Sequence, residues 1–458
     1  MRLPDGPKTL PFLQKLQWLF RPLETLEARA QKYGDTFRVL GNQLPPLLYF
    51  SSPQALQTIF TADPEQLNAS QGNAILKPLL GENSLMLLDG EPHQRQRQLL
   101  MPPFHGERMR AYGQLICAIT EQVMSQWTPG KPFAVRAAMQ EISLRVILSA
   151  VFGLHSGHRF EQLRQLLSSM LDSFGSPLSS TFLFYPFLQR DLGSWSPWGH
   201  FLRQKQQIKQ LLYAEIAERR AQADSSREDI LTLLLSARDE AGQPMTDAEL
   251  HDELLTLLSA GHETAASSLS WALYWIGYLP EVRDKLKAEL DSVDPNSDPS
   301  AIARLPYLTA ICQETLRLYP VVLNAFPRIV KKPMKLMGYQ LEPGTTLIPS
   351  IYLAHQREDT YPEPKQFKPE RFLERQFSPY EYLPFGGGNR RCIGLAFAQF
   401  EMKLVLATVL SRLELGLLDH RPIKPVRRGV TMAPPGHLRM VVTGSRQSSR
   451  SSHLAQTV

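Results

Sequence analysis

The sequence predicts a mainly α protein with small β-sheets, and three observations carry that prediction. A long apolar stretch in mid-chain has the start and stop signals of a single helix. Thr246 with Glu249 three residues later forms a capping box, and Pro280 ends the run after residue 279. Nearly all periodicity between residues 108 and 290 is helical. From Pro327 onward, short extended runs alternate with turn signals such as Glu342-Pro343-Gly344.

Taken in order, a Pro-rich start leads into a helix over residues 23–32. Residues 36–40 and 47–50 then read as a hairpin around Gly41 and Pro45-Pro46, and Ser52 starts the next helix. Helices follow over 160–171, 201–220 and 230–238, and after the long mid-chain helix another spans 306–318 and stops at Pro320. Residues 334–339 and 346–349 read as extended. A Gly-rich loop at 385–388 feeds a last helix over 395–413. A strand-like run, 438–443, precedes a tail rich in Ser, Arg and Gln, 444–458, expected to be disordered. No linker or repeat divides residues 1–443, which are expected to form a single domain.

Composition excludes several function classes. Lys and Arg total 50 against 44 acids, and this excess of +6 is spread along the chain. A nucleic-acid groove would need a clustered basic run with interleaved aromatics, so no nucleic-acid partner is expected. The three thiols, Cys117, Cys312 and Cys392, are too few and too far apart for a disulfide framework or a four-ligand zinc site. Residues 1–15 hold three prolines and no apolar core, so no secretory signal is read there. The charge-free part of the mid-chain stretch, 264–278, is shorter than the ~18 residues of a membrane span. A cytoplasmic location is expected.

The chemistry concentrates in Phe385-Gly386-Gly387-Gly388-Asn389-Arg390-Arg391-Cys392-Ile393-Gly394. Glycines let the backbone approach a flat ligand. Cys392 lies just before a helix start, where free amides favour a thiolate. Arg390 supplies positive charge suited to a carboxylate. A phosphate loop is the rival reading of a Gly-rich turn before a helix. It fails because no Lys-Ser/Thr pair follows and no apolar strand feeds the loop.

This segment resembles the cysteine-ligand loop of cytochromes P450, Phe-Gly-x-Gly-x-Arg-x-Cys-x-Gly, at every defined position: Phe385, Gly386, Gly388, Arg390, Cys392 and Gly394. The resemblance runs from about residue 3 to 443. It implies a triangular, mostly helical body around a buried haem b, with Cys392 as the proximal iron ligand. In that family the thiolate pushes electron density to favour O–O cleavage. It also gives meaning to Glu314 and Arg317, one helical turn apart, and to Arg371 within Pro369-Glu370-Arg371-Phe372. At the family's positions these three form a buried charge network beneath the haem.

Ala260-Gly261-His262-Glu263-Thr264 sits at the family's oxygen-activating motif. The resemblance implies that Ala260 and Gly261 leave space over the haem and that Glu263 and Thr264 relay protons and hydrogen-bond bound oxygen. His93 and Arg97, on one helix face, and Arg328 are implied as partners of the haem propionates together with Arg390.

The implied reaction inserts one atom of O2 into a lipophilic substrate with electrons delivered from outside. No dinucleotide fingerprint is present, so a separate ferredoxin or flavodoxin is expected to dock near Arg390, Arg391 and Lys403. The pocket is expected to draw on residues 71–88, 174–187, 257–264, 321–326 and 430–432. Phe174, Phe182, Phe184, Tyr185 and Phe187 would form an aromatic entrance able to touch a membrane surface. The chain looks like cyanobacterial-type members related to fatty-acid and alkane hydroxylases. A long-chain fatty acid is the expected substrate, with a terpene or sesquiterpene as competitor. A haem-thiolate isomerase or peroxygenase is the alternative chemistry, and a haem protein without turnover a third.

Overall fold

The structure is a computed structural model that describes residues 3–39, 47–104, 106, 108–154, 156–176, 179–222, 227–294 and 297–446. Its central element starts where the capping box places it. Thr246 Oγ1 accepts from the Glu249 N–H at 3.2 Å, and Glu249 Oε2 accepts from the Thr246 N–H at 2.7 Å. Two amides that the first turn leaves free are thereby satisfied. The helix spans Asp247–Tyr278, roughly 48 Å at about 1.5 Å per residue. Its long neighbours include Val135–Phe152, Pro197–Ala221, Pro306–Leu318 and Leu395–Arg412.

Gly261 explains the close fit to the first of these. A Cβ built there would lie 2.9 Å from Ile147 Cδ1, so any larger residue would push the tip of that side chain aside. On the side of Ile147 the residue thus serves helix packing.

The sheets stay small, as expected. A five-stranded sheet has the order Thr36–Val39, Leu47–Phe50, Thr346–Pro349, Arg328–Val330, Leu67–Asn68. Thr36 faces Phe50 in an antiparallel pair, and Leu48 faces Leu347 in a parallel one. Leu48, Phe50 and Leu347 are fully buried against the helix Pro53–Thr61 and residues Ile351 and Leu383. A second sheet orders Pro132–Ala134, Arg439–Ser445 and Leu413–Leu417, and two further hairpins pair Met334–Leu336 with Tyr339–Leu341 and Val426–Arg428 with Thr431–Ala433.

Three expectations about elements change. The run 334–339 is not one strand, because Met337 and Gly338 both take positive φ (48° and 81°) and turn it into a hairpin. The last strand continues through Gly444 and Ser445, two residues into the tail expected to be disordered, by pairing with Glu414 and Leu413 past a bulge. The rest of that tail (447–458), with Gly41 and Pro45-Pro46, lies outside the described residues. Finally, a helix at Pro11–Phe20 went unread. Phe12, Leu13, Leu16 and Phe20 form a stripe on one face, and that face is exposed, at 68%, 46%, 36% and 54%. No helix among the described residues is long and apolar enough to cross a membrane.

Candidate active site

The central helix marks the site by a break in its own burial. From residue 250 to 274 every residue is buried except Ser259, Ala260, Gly261, Glu263 and Thr264. One short stretch of an enclosed helix thus meets open space inside the protein. Thr264 Oγ1 donates to the Ala260 carbonyl at 2.7 Å, which leaves its lone pairs free to accept. His262 faces the opposite way, fully buried, with its pKa lowered to about 4 by burial. It is neutral and belongs to the packing between helices.

The cysteine loop is held by its own backbone. The Cys392 N–H donates to Phe385 O at 3.0 Å, Gly386 N–H to Leu383 O at 2.9 Å, and Arg391 N–H to Gly388 O at 3.1 Å. Gly386 and Gly388 take positive φ of 68° and 65°. A Cβ on Gly388 would stand 2.2 Å from Phe60 O, and one on Gly387 2.6 Å from the Phe60 ring. The loop can therefore only be seated on the helix Pro53–Thr61 if both positions are glycine. Cys392 itself has accessible surface, yet burial raises its thiol pKa. Surface without bulk water is the mark of a group lining an internal space. The Gly394 N–H, Arg97 and Arg391 act in the opposite sense and favour the thiolate.

Cations gather beside the thiol. His93, Arg97, Arg328 and Arg390 come close enough to perturb one another, and the His93 pKa is lowered to about 3 by burial and then by the three arginines. His93 is thus a neutral donor. Arg328 is lowered to about 10 by burial and by Arg390. Arg390 engages Asp89 at 2.6 Å and Leu85 O at 3.3 Å, while its buried Nε has no partner among the described residues. Arg97 and Arg328 donate to backbone carbonyls, Arg391 O at 2.8 Å and Phe326 O at 2.7 Å. Three guanidiniums against one carboxylate leave a positive excess suited to a dianionic group. A soft thiolate donor with this charge set fits haem b, whose iron takes sulfur and whose edge carries two carboxylates.

Glu263 does not stand free. Arg136 Nη2 donates to both of its oxygens, at 2.6 and 2.9 Å, Gln140 Nε2 donates at 3.0 Å, and Arg428 Nε lies 3.4 Å away. None of these partners was read from the sequence. Arg136 and Gln140 lie on one face of the helix Val135–Phe152 at i, i+4, a spacing too common to single out.

Beneath the loop, Glu314, Arg317 and Arg371 do meet. Arg317 grips Glu314 through Nε and Nη2 at 2.6 and 2.8 Å, and Arg371 Nε reaches it at 3.1 Å. Arg317 also donates to the carbonyls of His355, Pro364 and Gln366, and its guanidinium lies 5.0 Å from the Tyr361 ring centroid. Irregular chain between 355 and 371 is thus tied to one buried ion group. His355 completes it: Nδ1 faces Arg317 O at 3.1 Å and Nε2 accepts from the Leu383 N–H at 3.0 Å, so the proton is on Nδ1.

Two surface expectations need correction. Arg390 is buried on Asp89, and Lys403 is half-buried and donates to Ala303 O at 2.9 Å, so of the expected docking cations only Arg391 is exposed. The entrance aromatics divide. Phe174 is core, edge-on to Phe201 at 5.1 Å. Phe187 is exposed, Phe182 and Tyr185 are half-buried, and the side chain of Phe184 lies outside the described residues. Behind Phe182 a cavity of about 380 Å³ is lined by Phe174, Trp195, Trp198 and Phe201.

The profile of the cytochrome P450 family matches residues 4–440. Cytochrome P450 135B1 of Mycobacterium tuberculosis is 36% identical over 99% of this chain and 94% of that protein. Cytochrome P450 135A1 of the same species is 34% identical over 96% and 95%. Among solved structures, retinoic acid-bound cyanobacterial CYP120A1 superposes with a TM-score of 0.85 at 26% identity, covering 97% of this chain and all of that one. The haem domain of cytochrome P450DA gives 0.83 at 22%, over 97% and 98%. A haem-thiolate oxidoreductase is the class that this fold and this site define. The chain belongs to the cytochrome P450 family and is a monooxygenase that binds haem b, acting on a lipophilic substrate with electrons from a redox partner.

Proposed function

We propose that this P450 hydroxylates a long-chain fatty acid or a closely similar lipophilic acid, using a ferredoxin- or flavodoxin-type donor. The carrying observation is the Cys392 thiol, open to the interior and flanked by His93, Arg97, Arg328 and Arg390. In this reading Cys392 ligates the iron, and Phe385 and Gly394 shape the loop around its sulfur. His93, Arg97, Arg328 and Arg390 hold the two propionates. Ala260 keeps the facing helix surface low. The haem supplies reductive activation of O2 when bound. The protein's part is to deliver protons: Thr264 Oγ1, which donates its own proton to the Ala260 carbonyl, offers its lone pairs to the open stretch, and Glu263 is the proton donor behind it. Presence of this acid–alcohol pair favours reductive oxygenation over an isomerase or peroxygenase.

The substrate reading draws on two observations. Pocket-side aromatics are apolar, and the cyanobacterial relative at 26% identity is described with retinoic acid, an isoprenoid chain ending in a carboxylate. Fatty acids and terpene acids share that chemistry. Reduced protein exposed to CO is expected to show the strongly red-shifted Soret band of a thiolate ligand, lost in Cys392→Ser. Ferric protein titrated with fatty acids, terpenes and retinoic acid is expected to move to high spin with the fatty acids. A shift with terpenes alone would sink the fatty-acid reading and leave the enzyme class standing.

The same reading includes peripheral membrane contact. Phe12, Leu13, Leu16 and Phe20 are exposed on the first helix, as are Phe187, Leu192 and Trp195 in and after the aromatic segment. Lys15 of the first helix sits 5.4 Å from the Tyr185 ring. The helix Pro11–Phe20 carries no acid and is flanked by Lys8 and Arg21. Holoprotein is expected to sediment with phosphatidylglycerol vesicles, and F12S/L16S/W195S to stay in the supernatant. Equal recovery of both proteins in the supernatant would exclude the contact.

A further inference from the structure

We infer that Arg428 is a positioning residue, a latch that couples closure of the turn at residues 172–175 to release of Glu263. The inference rests on the reading of Glu263 as proton donor and extends it to residues outside the motif. Arg428 ends the strand Val426–Arg428 and lies between two carboxylates on different helices. Its Nη2 donates to Asp172 Oδ1 at 2.6 Å and its Nη1 to Gly175 O at 2.9 Å, whereas its Nε is 3.4 Å from Glu263 Oε1. Two hydrogen bonds therefore draw it toward the turn, and a looser ion pair draws it toward the acid.

The surroundings make this a competition. Asp172 is the last residue of the helix His158–Asp172, immediately before the aromatic segment. It is half-exposed, so it leaves Arg428 at little desolvation cost, while Glu263 and Arg136 are largely enclosed. Gly175 fits against the guanidinium so closely that a Cβ there would lie 2.5 Å from Arg428 Nη2. A Cβ on Gly429 would lie 3.9 Å from Phe174, so the hairpin sits beside the turn. Among the described residues the cations paired with Glu263 are Arg136 and Arg428, with Asp172 behind the latter and the neutral, buried His262 next in sequence.

The direction follows. With the turn closed, Asp172 and Gly175 hold Arg428, and Glu263 has to leave only Arg136 and Gln140. With the turn displaced, Arg428 swings fully onto Glu263 and pins it between two arginines. Proton delivery is then slow until the segment closes over a substrate. A charged pair of this exposure shifts an equilibrium by up to about fivefold.

The test is a double-mutant cycle on D172N and R428Q in the haem-loaded enzyme. It is driven by ferredoxin, ferredoxin reductase and NADPH with whichever fatty acid or terpene of the titration panel gives the largest high-spin shift. D172N is expected to lower kcat about three- to fivefold, raise the solvent deuterium isotope effect and increase peroxide released per NADPH. The same change in the R428Q background is expected to do nothing. Amide hydrogen exchange without substrate supplies a second readout: R428Q speeds exchange at residues 172–176, and E263Q does not. If D172N slows both backgrounds equally, or exchange is unchanged in R428Q, the latch is wrong. If D172N is silent while E263Q is slow, the latch fails and Glu263 keeps its role. If E263Q itself turns over like the parent, both fall together.

Discussion

Glu314→Ala is expected to give a chain that keeps its helical content and takes up little or no haem. Glu314 is fully buried, and it is the acceptor for two arginines and for the Lys368 N–H at 2.8 Å. Removing it leaves Arg317 and Arg371 buried without their counter-ion, a change that costs about 3–5 kcal/mol. The damage is local in consequence, because Arg317 is also what gathers the carbonyls of 355, 364 and 366 under the cysteine loop. Without that anchor the loop loses the seat that aims Cys392 inward. Haem-to-protein absorbance ratio and far-UV circular dichroism, read together, separate this outcome from general unfolding. Arg317→Ala is expected to behave alike. Full haem content in both variants would remove the network from any part in the site.

Glu263→Gln is the second large effect. Turnover is expected to fall on the order of 100-fold, the scale of a lost general acid, with the substrate-induced spectral shift retained. Glutamine keeps the shape, and its one amide oxygen in place of Oε2 accepts from both Arg136 and Gln140 while the bond to Oε1 is lost, so a loss of rate with intact binding isolates the proton function. Thr264→Ala is expected to preserve NADPH consumption and divert it to peroxide. If Glu263→Gln lost substrate binding in proportion to rate, the residue would be a structural ion-pair member and nothing more.

Much of the site was legible in the sequence, and the reasons are physical. The glycines around Cys392 stand out in the sequence because they are consecutive, and the structure gives two of them a local cause in the close approach of Phe60 at positions 387 and 388. The capping box at Thr246 is a local pattern with a local cause, and it survived intact. What was missed depends on distance. Arg136 and Arg428 are 127 and 165 positions from Glu263, and nothing near either one announces a buried carboxylate. Asp89 likewise turns Arg390 inward from a loop 301 positions away. The helix Pro11–Phe20 was overlooked for another reason: its apolar stripe faces solvent, while sequence reading treats such a stripe as a core face.

The contact between Phe60 and Gly388 has a bearing on when the site comes into being. These residues are about 330 positions apart, so their meeting closes nearly three-quarters of the chain into one loop. Contacts of such separation are slow to form, since the entropy of closure is lost before packing rewards it. On a ribosome, the helix Pro53–Thr61 emerges long before its glycine partner exists. The pigment pocket therefore cannot mature until the loop around Cys392 has been made and has found the helix Pro53–Thr61.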